Sequence, residues 1–553
     1  MAPNYPSGDQ VSAAGATVTK PFLLSLLAAS IVLLITLKRK RTAASKLPPL
    51  PPTPPSWPLI GNLPEVMFHS KPMFRWVHDV MKEMNTDTCL IRLPAGGPTI
   101  VPVLDPAIAR EMLRKHDASF ADRPTSFGSH VISGGYVTAV LGPHNDQWRK
   151  MRKVMTSEIV SPARLPFPTR LHKDKLETEF AKFMAMLKQL NISITRCISG
   201  KSVDLRIATQ HYCGNVMRKM LFGRRFFGEP TSDGGPGPME VKHVEALFTG
   251  LKYLYFSGVS DYLPWLRGWD VDGKEKIVRE ADKTIKALQN PIIDERIRQW
   301  RSGERKEIDD LIDVLVTLKD DVDRKPLLTP QEIKSQAAEL MMAVIDNPSN
   351  AVEWTMAELI NQPDLMAKAV EEIDRVVGKE SRLVHESDFG SLHYVKACVR
   401  EAFRLHPVYP FNVPHVSTCD TVVAGYLIPK GSHALLSRYG LGRNPEVWTD
   451  PLKFDPDRHL DGTGDHNSVV LAEHDLRFIS FSTGRRGCVA AVLGTCMTTM
   501  LLARLLQCFT WAPLEDGKGV IDLAEAKDEL FLATPLVAFP KPRLAPHLYP
   551  KTN

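Results

Sequence analysis

Apolar positions follow three patterns along this 553-residue chain: one uncharged run, a few short alternating segments, and long stretches with helical spacing. The uncharged run, PFLLSLLAASIVLLITL, covers 21–37 and is followed at once by Lys38-Arg39-Lys40-Arg41. As a helix it spans roughly 25 Å, at the short end for crossing a bilayer. The basic cluster behind it predicts that the chain that follows stays on the cytosolic side. A cleaved signal peptide would carry its charges in front and a small-residue cleavage site behind, where the four bases stand instead. The pattern divides the chain into a tail (1–20), a transmembrane anchor (21–37), a basic stop-transfer and proline-rich hinge (38–56) and one globular domain (57–553).

The hinge region, LPPLPPTPPSWPLIGN, has too many prolines for a helix or a central strand and reads as a stiff extended strut. CLIRLPAGGPTIVPVLD, from Cys89 to Asp105, places two apolar runs around Gly-Gly and predicts a β-hairpin. TSDGGPGP, Thr231 to Pro238, reads as a loop between helical stretches. Strand signals return in VVAGYLIPKGSHALL and in the closing LFLATPLVAF, which puts Phe531 in the last strand. Elsewhere the spacing is helical and no internal repeat is present. The fold class is mainly α with small β-sheets.

One helix stands out. Thr329-Pro330-Gln331-Glu332 offers a capping threonine, a proline at the first helical position and a glutamate three residues on. Apolar spacing then runs to about Asn361, with Pro363 as the stop, which makes a helix on the order of 45 Å long. Its centre contains AVIDNPSNAVEW, with Pro348 in the interior, where proline costs about 3 kcal/mol.

Composition changes this picture little. The net charge of +6 is mild, and no nucleic-acid-binding motif is present. Eight cysteines are scattered without a CxxC pair, which argues against a zinc or thioredoxin-type site and suits a reducing compartment. The sequon Asn191-Ile192-Ser193 is then a chance match, because glycosylation needs lumenal exposure.

The strongest chemical signal is FSTGRRGCVA, Phe481 to Ala490, opening the apolar helical stretch AVLGTCMTTMLLARLLQ. A cysteine at a helix N-terminus feels the positive end of the dipole, which favours thiolate over thiol. Gly484 and Gly487 permit a sharp turn, Phe481 can shield the sulfur, and Arg486 offers a cation to a carboxylate. A cysteine before an apolar helix is most often a core residue, but the spacing Phe-x-x-Gly-x-Arg-x-Cys-x-Ala is much rarer.

With this loop the chain resembles the cytochrome P-450 superfamily. The resemblance implies the P-450 fold, with haem b as cofactor and Cys488 as the thiolate ligand to its iron. Such a ligand pushes electron density toward iron and favours O–O cleavage. Ala490 replaces the usual last glycine. Three further stretches match in order. EAFR supplies Glu401 and Arg404 on one helical face, and FDPDRH supplies Arg458 to complete a buried trio. WRKMR supplies Trp148 and Arg152, which the resemblance assigns to the haem propionates, while Arg149, Lys150 and Lys153 form either a solvated face or a dock for an electron donor. In NVPHV, His415 stands where other members place a propionate-binding arginine.

The central helix departs from the common superfamily pattern. It keeps the acid, Asp346, but has Asn347 and Pro348 in place of the threonines. DNPSN, HPVYPFNVPHVS, SGGY, SRYGLGRNP and PRLAPHLYP resemble one plant branch, the amino-acid N-hydroxylases that form aldoximes. The implied reaction hydroxylates the amino nitrogen twice, each round using one O₂ and one NADPH, then loses water and CO₂. Pro348 cannot donate to the Val344 carbonyl, and that carbonyl with Asp346, Asn347 and Ser349 is expected to hold a water chain; a kink for packing alone is the alternative.

An amino-acid pocket needs an apolar wall. Phe127, Tyr136, Tyr409, Phe411 and Phe531 are candidates, with Ser133 and Asn412 for the polar head group; each is equally compatible with plain packing. LKYLYFSGVSDYLPWL is aromatic-rich and lines either a membrane-side entrance or the core. The expected substrate is phenylalanine or another bulky hydrophobic amino acid, with a branched aliphatic one next. The chain has no flavin or nicotinamide fingerprint, so the resemblance implies a separate NADPH-dependent reductase on the same membrane, the endoplasmic reticulum, and a second P-450 to take up the aldoxime. A carbon hydroxylase of the same fold and a non-catalytic haem sensor are the rival readings.

Overall fold

A computed structural model describes residues 48–160 and 202–549, apart from short stretches at 95–96, 226, 230, 232–235, 256–257, 321, 380, 461–468 and 514–518. The predicted anchor, its basic cluster and the Asn191 sequon lie outside the described residues. Among the described residues the longer helices are α1 (Met73–Glu83), α2 (Asp146–Val154), α3 (Leu205–Phe222), α4 (Pro238–Lys252), α5 (Lys274–Ser302), α6 (Pro330–Asn361), α7 (Pro363–Val377), α8 (His393–Leu405) and α9 (Ala491–Cys508).

The predicted central helix is α6. Its capping box forms as the sequence requires: the Glu332 amide donates to Thr329 Oγ1 at 3.3 Å, and Glu332 Oε2 accepts the Thr329 amide at 2.7 Å. The helix runs through Pro348 without a break. It crosses the core against α3, α5, α8 and α9. From Ser335 to Ile360 every residue is buried except Ala343 and Asn347, which stand one turn apart on one face. Between Ser335 and Ile360 the helix is therefore open only along one short strip at its middle.

Among the described residues, nine short strands form three small sheets. In the largest, β1 (Ile91–Arg92) and β2 (Thr99–Val103) make the predicted hairpin. β2 runs parallel to β7 (His433–Leu436), which pairs in turn with β4 (His415–Val416), so that Ala434 faces Val101 on one side and His415 on the other. β5 (Thr421–Val423) and β6 (Tyr426–Ile428) form a hairpin. β3 (Val203–Asp204), β9 (Val537–Pro542) and β8 (Phe509–Pro513) form the third sheet.

One sequence expectation needs correction. Phe531 is not in the last strand, because β9 begins only at Val537, after Pro535, which has no N–H to give a ladder. Phe531 belongs instead to a tight return in which its carbonyl accepts the Ala526 amide at 2.9 Å. α9 is long and apolar enough to cross a membrane, but 67% of it is buried inside the protein, which makes it a core helix.

Candidate active site

Cys488 sits three residues before α9, at the end of a turn of 3₁₀ helix, Gly484–Arg486. The turn needs its glycine. Gly484 has φ +73°, and a Cβ there would lie 2.5 Å from Asp117 Oδ1 and 2.7 Å from the Leu113 carbonyl. The Cys488 amide donates to the Phe481 carbonyl at 2.8 Å, which closes the loop, and the Phe481 ring lies across Gly494 and meets Phe403 edge-on. Cys488 carries accessible surface, yet burial pushes its thiol pKa up. The two observations agree if the exposure is to an enclosed space inside the protein. The Ala490 amide, which donates to the sulfur, and the charges of Arg152 and Arg438 favour the thiolate.

Around one side of this space cations gather. Arg486 donates through Nε to the Ala121 carbonyl (2.6 Å) and through Nη2 to Gly142 (2.8 Å), while its buried Nη1 has no partner. Its guanidinium lies 4.4 Å from the centre of the Trp148 ring. The Trp148 N–H is spent within the protein, on the Ala139 carbonyl at 3.0 Å, and its ring face is turned to Arg486. Arg123 donates through Nη1 to the carbonyls of Val413 and Pro414 (2.8 and 2.7 Å). His415 is bound through Nδ1 to the Phe120 carbonyl at 2.8 Å. Burial lowers the pKa of Arg486 to about 9 and of Arg123 to about 10, and lowers Arg152 and His415 as well; the mutual repulsion of Arg123, Arg152 and Arg486 adds to the shift of Arg486.

Buried like charges held together, one with an unsatisfied donor, are costly unless an anion joins them. A dianionic group beside a thiolate ligand meets that requirement, and haem with its two propionates is such a group. The residues present fit it. Arg123 was not singled out from the sequence; a lone arginine in FADRP carries no spacing signal, and only the fold brings it to His415 and Arg486.

The middle of α6 supplies a second group of polar side chains. Asp346 is buried, and its Oδ2 accepts a hydrogen bond from the Tyr409 hydroxyl. Burial raises the Asp346 pKa to about 7, against the pull of that bond and of Arg438. Asn347 donates through Nδ2 to the Ala343 carbonyl at 3.2 Å, which leaves its side-chain oxygen free to accept. Ser349 is turned back onto its own helix, with Oγ 2.7 Å from the Ile345 carbonyl, and it is buried. Its hydroxyl therefore patches the helix beside Pro348. Arg438 feels the charges of both Cys488 and Asp346, so it links the thiol and the acid electrostatically.

The other candidates divide. Ser133 is fully buried, donates to the Ser129 carbonyl at 2.5 Å and accepts the Tyr136 amide at 2.7 Å, so it caps a turn. Tyr136, at φ +66°, donates its hydroxyl to the Ser126 carbonyl at 3.0 Å. Phe127 lies under the Arg279 guanidinium at 4.8 Å. Phe411 stacks on His78 of α1, with centroids 5.9 Å apart, and packs in the cluster between α1 and the four-stranded sheet. Asn412 reaches Ser482 Oγ at 3.1 Å, beside the cysteine loop. Tyr409 remains the aromatic side chain tied to the middle of α6, through Asp346.

The buried trio is present and larger than expected. Glu401 is bonded to Arg404 (2.8 and 2.7 Å) and Arg458 (3.0 Å), and also to His459 (2.8 Å). Burial works to raise Glu401, but the hydrogen bonds of Arg404 and His459 hold its pKa down at about 2.

A mostly helical fold, a shielded cysteine before a core helix and a buried cation cluster that calls for a dianion define a haem-thiolate protein. The family model described as Cytochrome P450 matches residues 51–535, and the chain belongs to that family. Among its relatives it is 58% identical to valine N-monooxygenase 2 of Manihot esculenta, over 96% of this chain and 95% of the relative. It is 55% identical to tyrosine N-monooxygenase of Sorghum bicolor, over 92% and 88%, and 50% identical to phenylalanine N-monooxygenase of Arabidopsis thaliana, over 96% and 99%.

Proposed function

We propose that this chain is an amino-acid N-monooxygenase that converts an L-amino acid with a hydrocarbon side chain to its aldoxime. The observation that carries the proposal is the rebuilt centre of α6. Where an ordinary P-450 has threonines, the open strip offers the amide oxygen of Asn347, an acceptor suited to the N–H of an amine. Relatives with this chemistry in their names, at 50–58% identity, support it.

Haem held by Cys488 would supply activation of O₂. Arg123, Arg152, Arg486 and His415 would hold its carboxylates, and Phe481 would shelter the sulfur from water. Asn347 accepts from the substrate amine and sets the nitrogen toward the reacting centre. Asp346, one residue before it, passes protons. Two N-hydroxylations consume two O₂ and four electrons, and the N,N-dihydroxy amino acid then loses water and CO₂. The electrons come from NADPH through a separate membrane-bound reductase, at the endoplasmic reticulum, where the 21–37 run anchors the 57–553 domain. A downstream P-450 that metabolises the aldoxime is the expected successor.

For the side chain, the Tyr409 hydroxyl spends its one proton on Asp346 and has none to donate to a substrate phenol. This favours a branched aliphatic or plain aromatic side chain. The test is co-expression with a plant reductase, with NADPH and a mixture of amino acids, and mass detection of aldoximes. Aldoximes one carbon shorter than their parent support the proposal, and carbon-hydroxylated products alone overturn it. Cys488→Ser is expected to lose both pigment and turnover.

A further inference from the structure

By sequence Tyr409 is a candidate for the pocket wall, and its surroundings give it a further task. The loop that carries it leaves α8 at Leu405 and has Pro407 and Pro410 on either side of the tyrosine. The Pro410 carbonyl accepts the Arg438 amide at 2.8 Å, and the Asn412 amide donates to Leu436 at 2.9 Å. The loop is thus pinned to the end of β7, and the Tyr409 ring has a fixed origin. From there its hydroxyl crosses to α6 and donates to Asp346 Oδ2.

The other carboxylate oxygen, Oδ1, is buried and has no partner. One turn further along the same face, both side-chain polar atoms of buried Asn350 are also without partners. Three orphaned polar atoms in a row are costly unless a polar guest bridges them, and water is the simplest guest. Asp346 precedes Asn347, one of the two open positions of α6, so the row ends at the site. The charged and titratable groups that act on Asp346 are Tyr409 from the loop, Glu529 from the segment before β9, Arg438 from the end of β7 and Cys213 from α3. A phenylalanine at 409 would fill the same volume and leave both carboxylate oxygens bare.

We propose that Tyr409 is a positioning residue for proton supply: its hydroxyl clamps Asp346 so that the free Oδ1, with Asn350, orders the water that feeds protons to the open strip of α6. This rests on the proposed N-hydroxylation only for its activity readout. The hydroxyl donates and the carboxylate accepts, so the clamp favours the ionised acid. Its removal raises the Asp346 pKa above its value near 7 and weakens the orientation of the acid.

The test compares wild type, Tyr409→Phe and Asp346→Asn, each checked for thiolate-bound haem by its reduced CO-bound spectrum. In Tyr409→Phe, aldoxime formed per NADPH consumed is expected to fall on the order of tenfold with KM little changed, and the acid limb of its pH profile to move upward. Infrared difference spectroscopy gives a readout that needs no turnover. A protonated-carboxyl band should titrate near neutral pH in wild type, at higher pH in Tyr409→Phe, and be absent in Asp346→Asn. An unmoved band midpoint with unchanged coupling in Tyr409→Phe overturns the clamp. If no variant forms aldoximes from any amino acid but the band shifts as described, the clamp stands and the N-hydroxylase reading fails.

Discussion

Single side chains at this site are governed by what burial does to charge. Asp346 has a folded-state pKa raised to about 7 from 3.8. The folded protein therefore binds a proton that the unfolded chain has released above about pH 4. Its stabilising contribution is present below that value and lost as pH rises through the folded pKa. Asp346→Asn should remove this slope, so that its unfolding midpoint falls less than wild type between pH 4 and 7, a differential on the order of 4 kcal/mol. Thermal melts at both ends of the window check it. Arg123 works by the same physics with the opposite charge: Arg123→Ala should relieve repulsion in the haem-free protein yet weaken haem retention severalfold, measured by haem transfer to an acceptor globin. Arg123 and the Tyr409 clamp were not legible in the sequence, because neither residue type carries a spacing that marks its partner hundreds or tens of positions away.

Elements were easier to read than contacts. The bounds of α6 follow from its capping box and from Pro363, both local signals. The interior proline is local too, but its consequence is not. The Val344 carbonyl loses its donor, while Ser349 and Asn347 turn back to the Ile345 and Ala343 carbonyls on either side of it. Pro348→Ala should restore the missing bond and stabilise the helix by about 1–3 kcal/mol, while aldoxime formed per NADPH falls. A stabilised variant with wild-type coupling would assign the proline to packing alone. LFLATPLVAF reads as one strand because nearly all of it is apolar; Pro535 decides the boundary, and the Ala526–Phe531 bond shows the return that the run conceals. Gly442 shows how an element is fixed from outside itself: a Cβ there would lie 2.0 Å from the Arg404 carbonyl, so the trio around Glu401 and the turn after β7 close on each other.

At the scale of the whole molecule, a P-450 of this kind is membrane-associated, and the described residues offer a surface for that contact. Trp265 and Trp269 are 74% and 78% exposed, and Leu59 and Phe68 are 84% and 79% exposed. The two groups flank one apolar cluster in which Tyr262 and Leu263 pack with Leu63, Val66 and Met67. Indole rings favour the membrane–water interface. Brominated phospholipid should quench the tryptophan fluorescence of the protein, and Trp265→Ser with Trp269→Ser should weaken vesicle binding; quenching unaffected by the pair would place the contact elsewhere.

Local chemistry along the chain was enough to determine the cysteine turn, the capped central helix with its misplaced proline, the Glu-x-x-Arg pair and the likeness to aldoxime-forming enzymes, because each is written within a few neighbouring residues. Only the tertiary structure brought Arg123 to Arg152, Arg486 and His415, which the likeness already placed at the propionates. Arg123, Arg152, Arg486 and His415 come from four separate segments, and Tyr409 reaches Asp346 from a loop 63 positions away. Burial turns those meetings into chemistry: charges that water would screen at the surface are forced there to find an anion, a proton or each other.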